Sequence, residues 1–486
     1  MRLKSLACCL AAALLCTSGL HAQALGQAHN QPLQPHTLAY APGKAITLSL
    51  PAKLDINVAA SGLRRVRFLA QSPDGRIFAT GMYNLADNTR GSVFILDGWD
   101  AKSHTFAHVI TYLDHLRNPN NLAFWTDPAT HQSWLYLPLT DKLVRYKYTA
   151  GDNAPTGPPQ TLAHFPDYGL NYKYGGWHLT RTIAFATLHG RTRLYLTAGS
   201  SCDYCREREV IRATLSVMRP DGTHWRILAQ GLRNAVDLQF TPDLDGGALF
   251  ATNMGDDHLG DNLPEDTFFE LDSDAHHTPA LANYGWPACY FAQGKPVLDK
   301  TPLPEMPTPG DLKTESERPK EAGVASHSRP PEDTDSVYGE QDGMAAQGTL
   351  LAAGDGKMIH DPDAKLGKVP EPLTSCNDVP AAYTTFTAHS SPLGFSYFGA
   401  DNPTLHDTFL VALHGASHPR IGTGYRVVQF SAADRTPRPF ITGFLTTAAG
   451  KPVVHGRPCG ILRLGPDTFL LTDDYLGLVY YVHPRA

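Results

Sequence analysis

The chain of 486 residues is poor in charge, in helical periodicity and in long apolar runs. Charged residues make up only 18%, the formal net charge is −6, and no basic stripe occurs. That composition argues against nucleic acid or an anionic membrane surface as a partner. After residue 24 no stretch is long and apolar enough to span a bilayer. Apolar residues at helical spacing are scarce, while 42 glycines and 38 prolines punctuate the chain. An all-β protein full of turns is the class this leaves. A haem-attachment motif is missing as well. Cys202 and Cys205 have the spacing for one, but Arg206 stands where its histidine would be.

What is present begins at the N-terminus. Met1-Arg2-Leu3-Lys4 precedes an apolar run from Leu6 to about Leu15, and Ala22-Gln23-Ala24 has the form of a cleavage site. Residues 1–24 therefore read as a cleaved secretory signal, and the mature protein is expected to be soluble and periplasmic or secreted. Removing the signal leaves Cys202, Cys205, Cys289, Cys376 and Cys459. An odd count in an oxidising compartment implies two bridges and one thiol. The expected pairs are Cys202–Cys205, on one loop, and Cys289–Cys376, which would limit the entropy of the long segment between them. Cys459, just before the apolar stretch at 460–464, is expected to be buried and reduced.

The body of the chain repeats one unit: a polar turn, a short apolar strand, a Pro/Asp/Gly turn and a second strand. Six copies occur, at 65–80, 118–139, 178–201, 233–254, 391–415 and 456–474. Aligning Leu69, Leu122, Ile183, Leu238, Phe395 and Leu462 gives spacings of 53, 61, 55, 157 and 67 residues. The long interval contains a polar, proline-rich segment at about 295–378 that lacks core-forming residues. These spacings predict a six-bladed β-propeller over 55–486, with a surface insertion between the fourth and fifth repeats and a lead-in at 25–54. The polar turns would line the mouth of the central channel.

Collected there, the turns supply Arg67, Asn120, His178, Arg181, Arg233, Asn234, His389, His414 and Arg457. Each alone could simply cap a turn. Recurring at equivalent places, they suit an anionic ligand with carbonyl and carboxylate oxygens, beside a histidine able to take a proton. In "GGWHLTRTIAF" (175–185), glycines before His178 and an apolar strand after it suit a base aimed into the channel.

Several stretches carry a resemblance: "GGWHLTRTIAF" with "RLYLTAGSSCDYC", "LAQGLRNAVDLQF", "ATNMGDDHLGDNLPED", "NYGWPACY", "HSSPLGFSYF" and "FLVALHG" with "TGYRVVQF". In this order they resemble the sorbosone/glucose dehydrogenase family, pyrroloquinoline-quinone (PQQ) enzymes on six-bladed propellers, and within it the sorbosone and pyranose dehydrogenase branches. The resemblance runs from about 55 to 483, interrupted by the insertion. It implies a sugar or polyol dehydrogenase with PQQ and Ca²⁺. His178 would be the general base, Arg233 the stabiliser of charge on the reduced quinone, and Asn234 a cofactor ligand. His414 stands where soluble glucose dehydrogenases have lysine, and Arg67 and Arg457 match partners of the cofactor carboxylates. Gly255 and Asp256 fall where the family offers backbone carbonyls to calcium, with Asp257, Asp261 and Asp266 nearby. With no haem motif, electrons would pass to a separate acceptor.

Two other classes stay open on the residues alone. A calcium-dependent propeller lactonase or hydrolase would need more carboxylates converging on the channel than the 256–266 segment offers. A non-catalytic sugar-binding propeller would not need His178 and Arg233 together. The insertion yields a first prediction: shortening residues from about 300 to 350, with Cys289 and Cys376 kept, should leave soluble protein with little loss of fold, and an insoluble product would show that the segment packs on the propeller.

Overall fold

The computed structural model describes residues 32–85, 87–167, 178–244, 246–273, 281–305 and 363–485. The expected signal segment and most of the proline-rich insertion lie outside these residues. Among the described residues no helix is long and apolar enough to cross a membrane.

Six sheets of four mutually antiparallel strands stand around a common axis, and their inner strands are the ones anticipated from the repeats. Blades 1 to 6 open with Val66–Gln71, Ala123–Thr126, Arg181–Leu188, Leu238–Thr241, Pro392–Phe398 and Pro458–Gly465. In blade 3 the inner strand runs against Arg191–Ala198 with Arg181 opposite Ala198 and Ile183 opposite Leu196. Side chains alternate across each strand, so every blade is apolar on both faces. In blade 2, Leu135 and Leu137 join the core shared with blade 1, while Trp134 and Tyr136 join the core shared with blade 3. Six such clusters fill the six seams between blades. A seventh lies on the axis, where Phe68, Val236, Leu393 and Cys459 from four blades meet as an apolar plug.

The ring closes by exchange of chain ends. Leu54–Ala60 is the outer strand of blade 6, paired with Leu478–Pro484 through Ile56 opposite Val482. The lead-in is part of the fold: Leu33–Ala41 and Lys44–Pro51 form a hairpin that bonds Thr442 through Ser49. Its Ile46, Leu48 and Leu50 bury in the seam between blades 5 and 6.

The insertion departs after Asp266–Ser273, the third strand of blade 4, and returns as Thr384–Phe386, the fourth. It therefore interrupts a blade, which explains why its far end falls before the fifth repeat. On the way, Ala282–Asn283 adds a parallel fifth strand to blade 3. Both expected disulfides are present, Cys202–Cys205 and Cys289–Cys376, and Cys459 is a buried thiol in the axial plug. The near flank of the insertion is stitched to the 202–206 loop. Tyr204 donates its hydroxyl to the Thr301 carbonyl at 2.8 Å, the Arg206 N–H bonds Pro304 O at 2.9 Å, and Arg206 pairs with Glu305 and Glu371. The tolerated deletion should therefore start after Glu305.

One hydroxyl recurs between blades. In blades 1, 4 and 6 a threonine of the second strand accepts an N–H of its own inner strand and donates to a carbonyl entering the next blade. Thr80 accepts from Phe68 and donates to Asn120; Thr252 accepts from Asp237 and donates to Leu393; Thr472 accepts from Gly460 and donates to Arg67. Thr197 and Thr140 make the outgoing bond, to Ala235 and Leu179. In blades 1 and 6 the inner strand bulges here, breaking the ladder, and the threonine serves the N–H that the bulge leaves over. Thr472→Val keeps the shape and orphans both groups at the blade 6–blade 1 seam. It should cost about 1–3 kcal/mol in denaturant unfolding; an unchanged midpoint would show that the hydroxyl contributes nothing.

Candidate active site

The turns before the inner strands and the loops after the second strands share one face of the ring, and His178, Arg233, Asn234, Arg67, His414, Arg457, Gly255 and Asp256 lie on it. The entering turns use the left-handed backbone region repeatedly: Arg65 at φ 48°, Asn118 at 45°, His178 at 42° and His389 at 60°. A tight left-handed residue turns the chain sharply from the outer strand of one blade into the axis of the next, leaving its side chain at the mouth.

One network gathers His178, Arg233, Asn234 and Gly255. His178 Nδ1 lies 3.0 Å from the Ser200 carbonyl and 2.9 Å from its hydroxyl. Arg233 donates Nε to the Asp203 carbonyl at 2.9 Å, Nη2 to the Asp203 carboxylate at 2.5 Å and Nη1 to the Gly255 carbonyl at 2.5 Å. Asn234 donates Nδ2 to Met254 Sδ at 3.4 Å, while its buried Oδ1 has no hydrogen-bond partner among the described residues. Gly199 allows this closeness, because a Cβ there would sit 2.5 Å from His178 Cβ and 2.6 Å from Asn234 Oδ1. Burial, with Arg233 beside it, pushes the His178 imidazole well below its ordinary pKa. Burial opposes the charge on Arg233, but Asp203, Asp257 and Asp256 outweigh it and raise that group.

A second network gathers Arg67 and His414 around Asp474. Arg67 Nη1 reaches Asp474 Oδ2 at 2.9 Å, His414 Nε2 reaches Oδ1 at 2.8 Å, and Arg65 stands 3.7 Å away. Burial alone would raise the Asp474 carboxyl; His414, Arg65 and Arg67 overcome this and hold it far below the carboxylate range. Burial, aided by Arg457 and Arg67, lowers the His414 proton affinity, while Asp474 acts to raise it. Arg67 also contacts Asn120 Oδ1 at 3.3 Å, and Asn120 Nδ2 donates to Thr182 and to Val236 O, linking Arg67 to blades 3 and 4. Arg457 lies beside this group, donating to the Gly415 and Ala416 carbonyls with its guanidinium over the Tyr425 ring.

The acids are spoken for individually. Asp256 pairs with His258 at 2.9 Å, and His258 also meets Asp299 at 2.7 Å. Asp257 pairs with His389 at 3.0 Å, Asp261 with Arg420 at 2.7 Å, and Asp266 accepts the Gly255 and Ser391 N–H groups at 2.8 Å. No group of three or more His, Cys, Asp or Glu side chains among the described residues is placed to hold a metal. Arg181 lies beneath the mouth, buried, and bonds the His178 and Thr180 carbonyls. Sequence reasoning missed Ser200, Asp203 and Asp474, although all three follow second strands, as Gly255 and His414 do.

No known family model matches the chain, and no curated protein sequence matches it. Solved structures do. The holo form of the pyranose dehydrogenase PQQ domain from Coprinopsis cinerea superposes with a TM-score of 0.56 at 17% identity, over 90% of this chain and 97% of that one. The iodide structure of a Trichoderma reesei carbohydrate-active enzyme of family AA12 gives 0.58 at 15% identity, covering 94% and 99%. Its calcium structure gives 0.57 at 14% identity, covering 94% and 98%. At these identities what is shared is the propeller fold.

Asp474 is the charge on which the second network depends. Asp474→Asn would leave the buried Arg67 guanidinium uncompensated and should cost about 3–5 kcal/mol. Equilibrium unfolding in urea measures it, and a loss below 1 kcal/mol would mean that solvent already screens the pair.

Proposed function

We propose that the protein is a PQQ-dependent dehydrogenase of sugars or related polyols, exported after loss of residues 1–24 to the periplasm or beyond. The observation that carries this reading is the neighbourhood of three groups at the mouth. A histidine with a depressed pKa and a buried amide oxygen lacking a partner among the described residues lie against one glycine, and the Arg233 guanidinium is the strongest charge acting on that histidine. The common fold with a PQQ domain of a pyranose dehydrogenase supports it, as do the motifs in the sequence.

The residues fit such a cofactor in specific ways. Asn234 Oδ1 would accept a donor from it, and Arg67, His414 and Arg457 would set cationic and N–H groups toward its carboxylates. The Gly255 and Asp256 carbonyls supply only two oxygens where calcium takes six to eight, so the ion would be held jointly with oxygens of the bound cofactor and water. When bound, PQQ supplies a two-electron acceptor for the hydride of the carbinol carbon. His178 takes the hydroxyl proton as that hydride leaves, so its low proton affinity keeps it unprotonated and ready. Arg233, fixed at three of its nitrogens, presents positive charge that need not reorganise as negative charge builds. The electrons would leave to a separate acceptor.

The test is to add PQQ and Ca²⁺ to purified protein and follow dye-coupled oxidation across a panel of sugars and polyols; no oxidation with bound PQQ would refute the reading. His178→Ala should lower turnover by roughly 10²–10⁴-fold with cofactor binding nearly unchanged. Arg233→Ala should slow reduction of the bound cofactor and weaken its binding. The acid limb of the pH–rate profile should lie below pH 6.5, because the His178 proton affinity is depressed. A limb above 6.5 would assign that proton to another group.

A further inference from the structure

The loop after the second strand of blade 3 is closed by the Cys202–Cys205 disulfide, and Ser200 stands at its start with every polar group committed. Its N–H donates to the Arg233 carbonyl at 2.7 Å. Its carbonyl and its hydroxyl oxygen both face His178 Nδ1, at 3.0 and 2.9 Å. The hydroxyl proton goes elsewhere, to the Cys202 carbonyl at 2.6 Å. A carbonyl cannot donate, and a hydroxyl bonded to the Cys202 carbonyl has no second proton to give. Nδ1 therefore faces two acceptors and must itself carry the hydrogen. In a neutral ring the lone pair then belongs to Nε2.

We infer that Ser200, shaped by the Cys202–Cys205 loop, is a positioning residue that holds His178 as the Nδ1–H tautomer and makes Nε2 its basic atom. The inference rests on the reading of His178 as a base and adds which nitrogen acts and what selects it. The same loop sets the neighbouring guanidinium, since Asp203 receives Arg233 through both its carbonyl and its carboxylate. Base and arginine thus take their geometry from one disulfide-closed turn. The chemistry of the partner matters too. Ser200 orients the ring without adding charge, leaving Arg233, Arg212 and Asp257 as the charged groups around it. A carboxylate in the place of Ser200 would stabilise the imidazolium and draw the proton affinity upward.

The test reads the tautomer directly. In the full chain labelled with ¹⁵N-histidine, the pair of signals lost in His178→Gln identifies the ring. The expected spectrum has a pyrrole-type Nδ1 and a pyridine-type Nε2, unchanged on lowering the pH to 6.5. An Nε2–H ring overturns the inference. In Cys202→Ala/Cys205→Ala the Ser200 hydroxyl is freed to donate to Nδ1. The two nitrogen signals should then move toward each other as tautomers mix, and an unmoved pair would show that the loop selects nothing. With PQQ and Ca²⁺ added, the same variant should lose on the order of 10- to 100-fold in kcat with a smaller change in KM. Ser200→Asp should move the acid limb of the pH–rate profile upward, which a merely structural change would not do. A wild-type Nδ1–H spectrum from a protein that oxidises no sugar would uphold the assignment to Ser200 and reject the dehydrogenase reading.

Discussion

The structure depends on a buried threonine hydroxyl that fastens one blade to the next. A propeller blade buries both faces only against its neighbours, and apolar packing alone allows adjacent sheets to slide. The bonds from Thr80, Thr252 and Thr472 to Asn120, Leu393 and Arg67 forbid that sliding, because each carbonyl lies just before or at the start of the next inner strand. Those are the residues beside the mouth. Arg67 has its backbone held by Thr472 and its side chain by Asp474, both at the end of one strand of blade 6. Position at the mouth is therefore inherited from the seams.

Charge at the mouth follows the same economy. Each of these acids has a nearby partner, so the cations are oriented by carboxylates already in place, and the Arg233 guanidinium is fixed by Asp203 and the Gly255 carbonyl. The apolar plug of Phe68, Val236, Leu393 and Cys459 lies below, giving these groups an apolar floor. Electrostatic interactions in such a setting are stronger than in water.

Much of this was legible in the residues. The repeat of strand, turn and strand placed the inner strand of each blade within a few positions, because side-chain alternation and Gly/Pro/Asp turns are local properties. The two disulfides were legible for a different reason: one pair lies on a single loop, and the other joins the flanks of the insertion. Ser200 and Asp474 were not legible, although one lies in the 178–201 repeat and the other ends the 456–474 repeat, since a serine or a second aspartate after a strand has no distinguishing neighbour in sequence. The insertion's place within blade 4 was hidden too, because its returning strand, Thr384–Phe386, is only three residues long.

The sequence by itself determined the all-β class, the sixfold repeat and the candidate residues His178, Arg233, Asn234 and His414, because periodicity and residue chemistry survive without coordinates. Tertiary structure alone decided how those residues are partnered. Asp474 meets Arg67 across 407 positions of chain, and Thr472 meets the same residue across 405. Such bonds form only when the last blade closes against the first. The strand that completes this closure, Leu54–Ala60, comes from the other end of the chain and pairs there because the final blade has an open edge to fill.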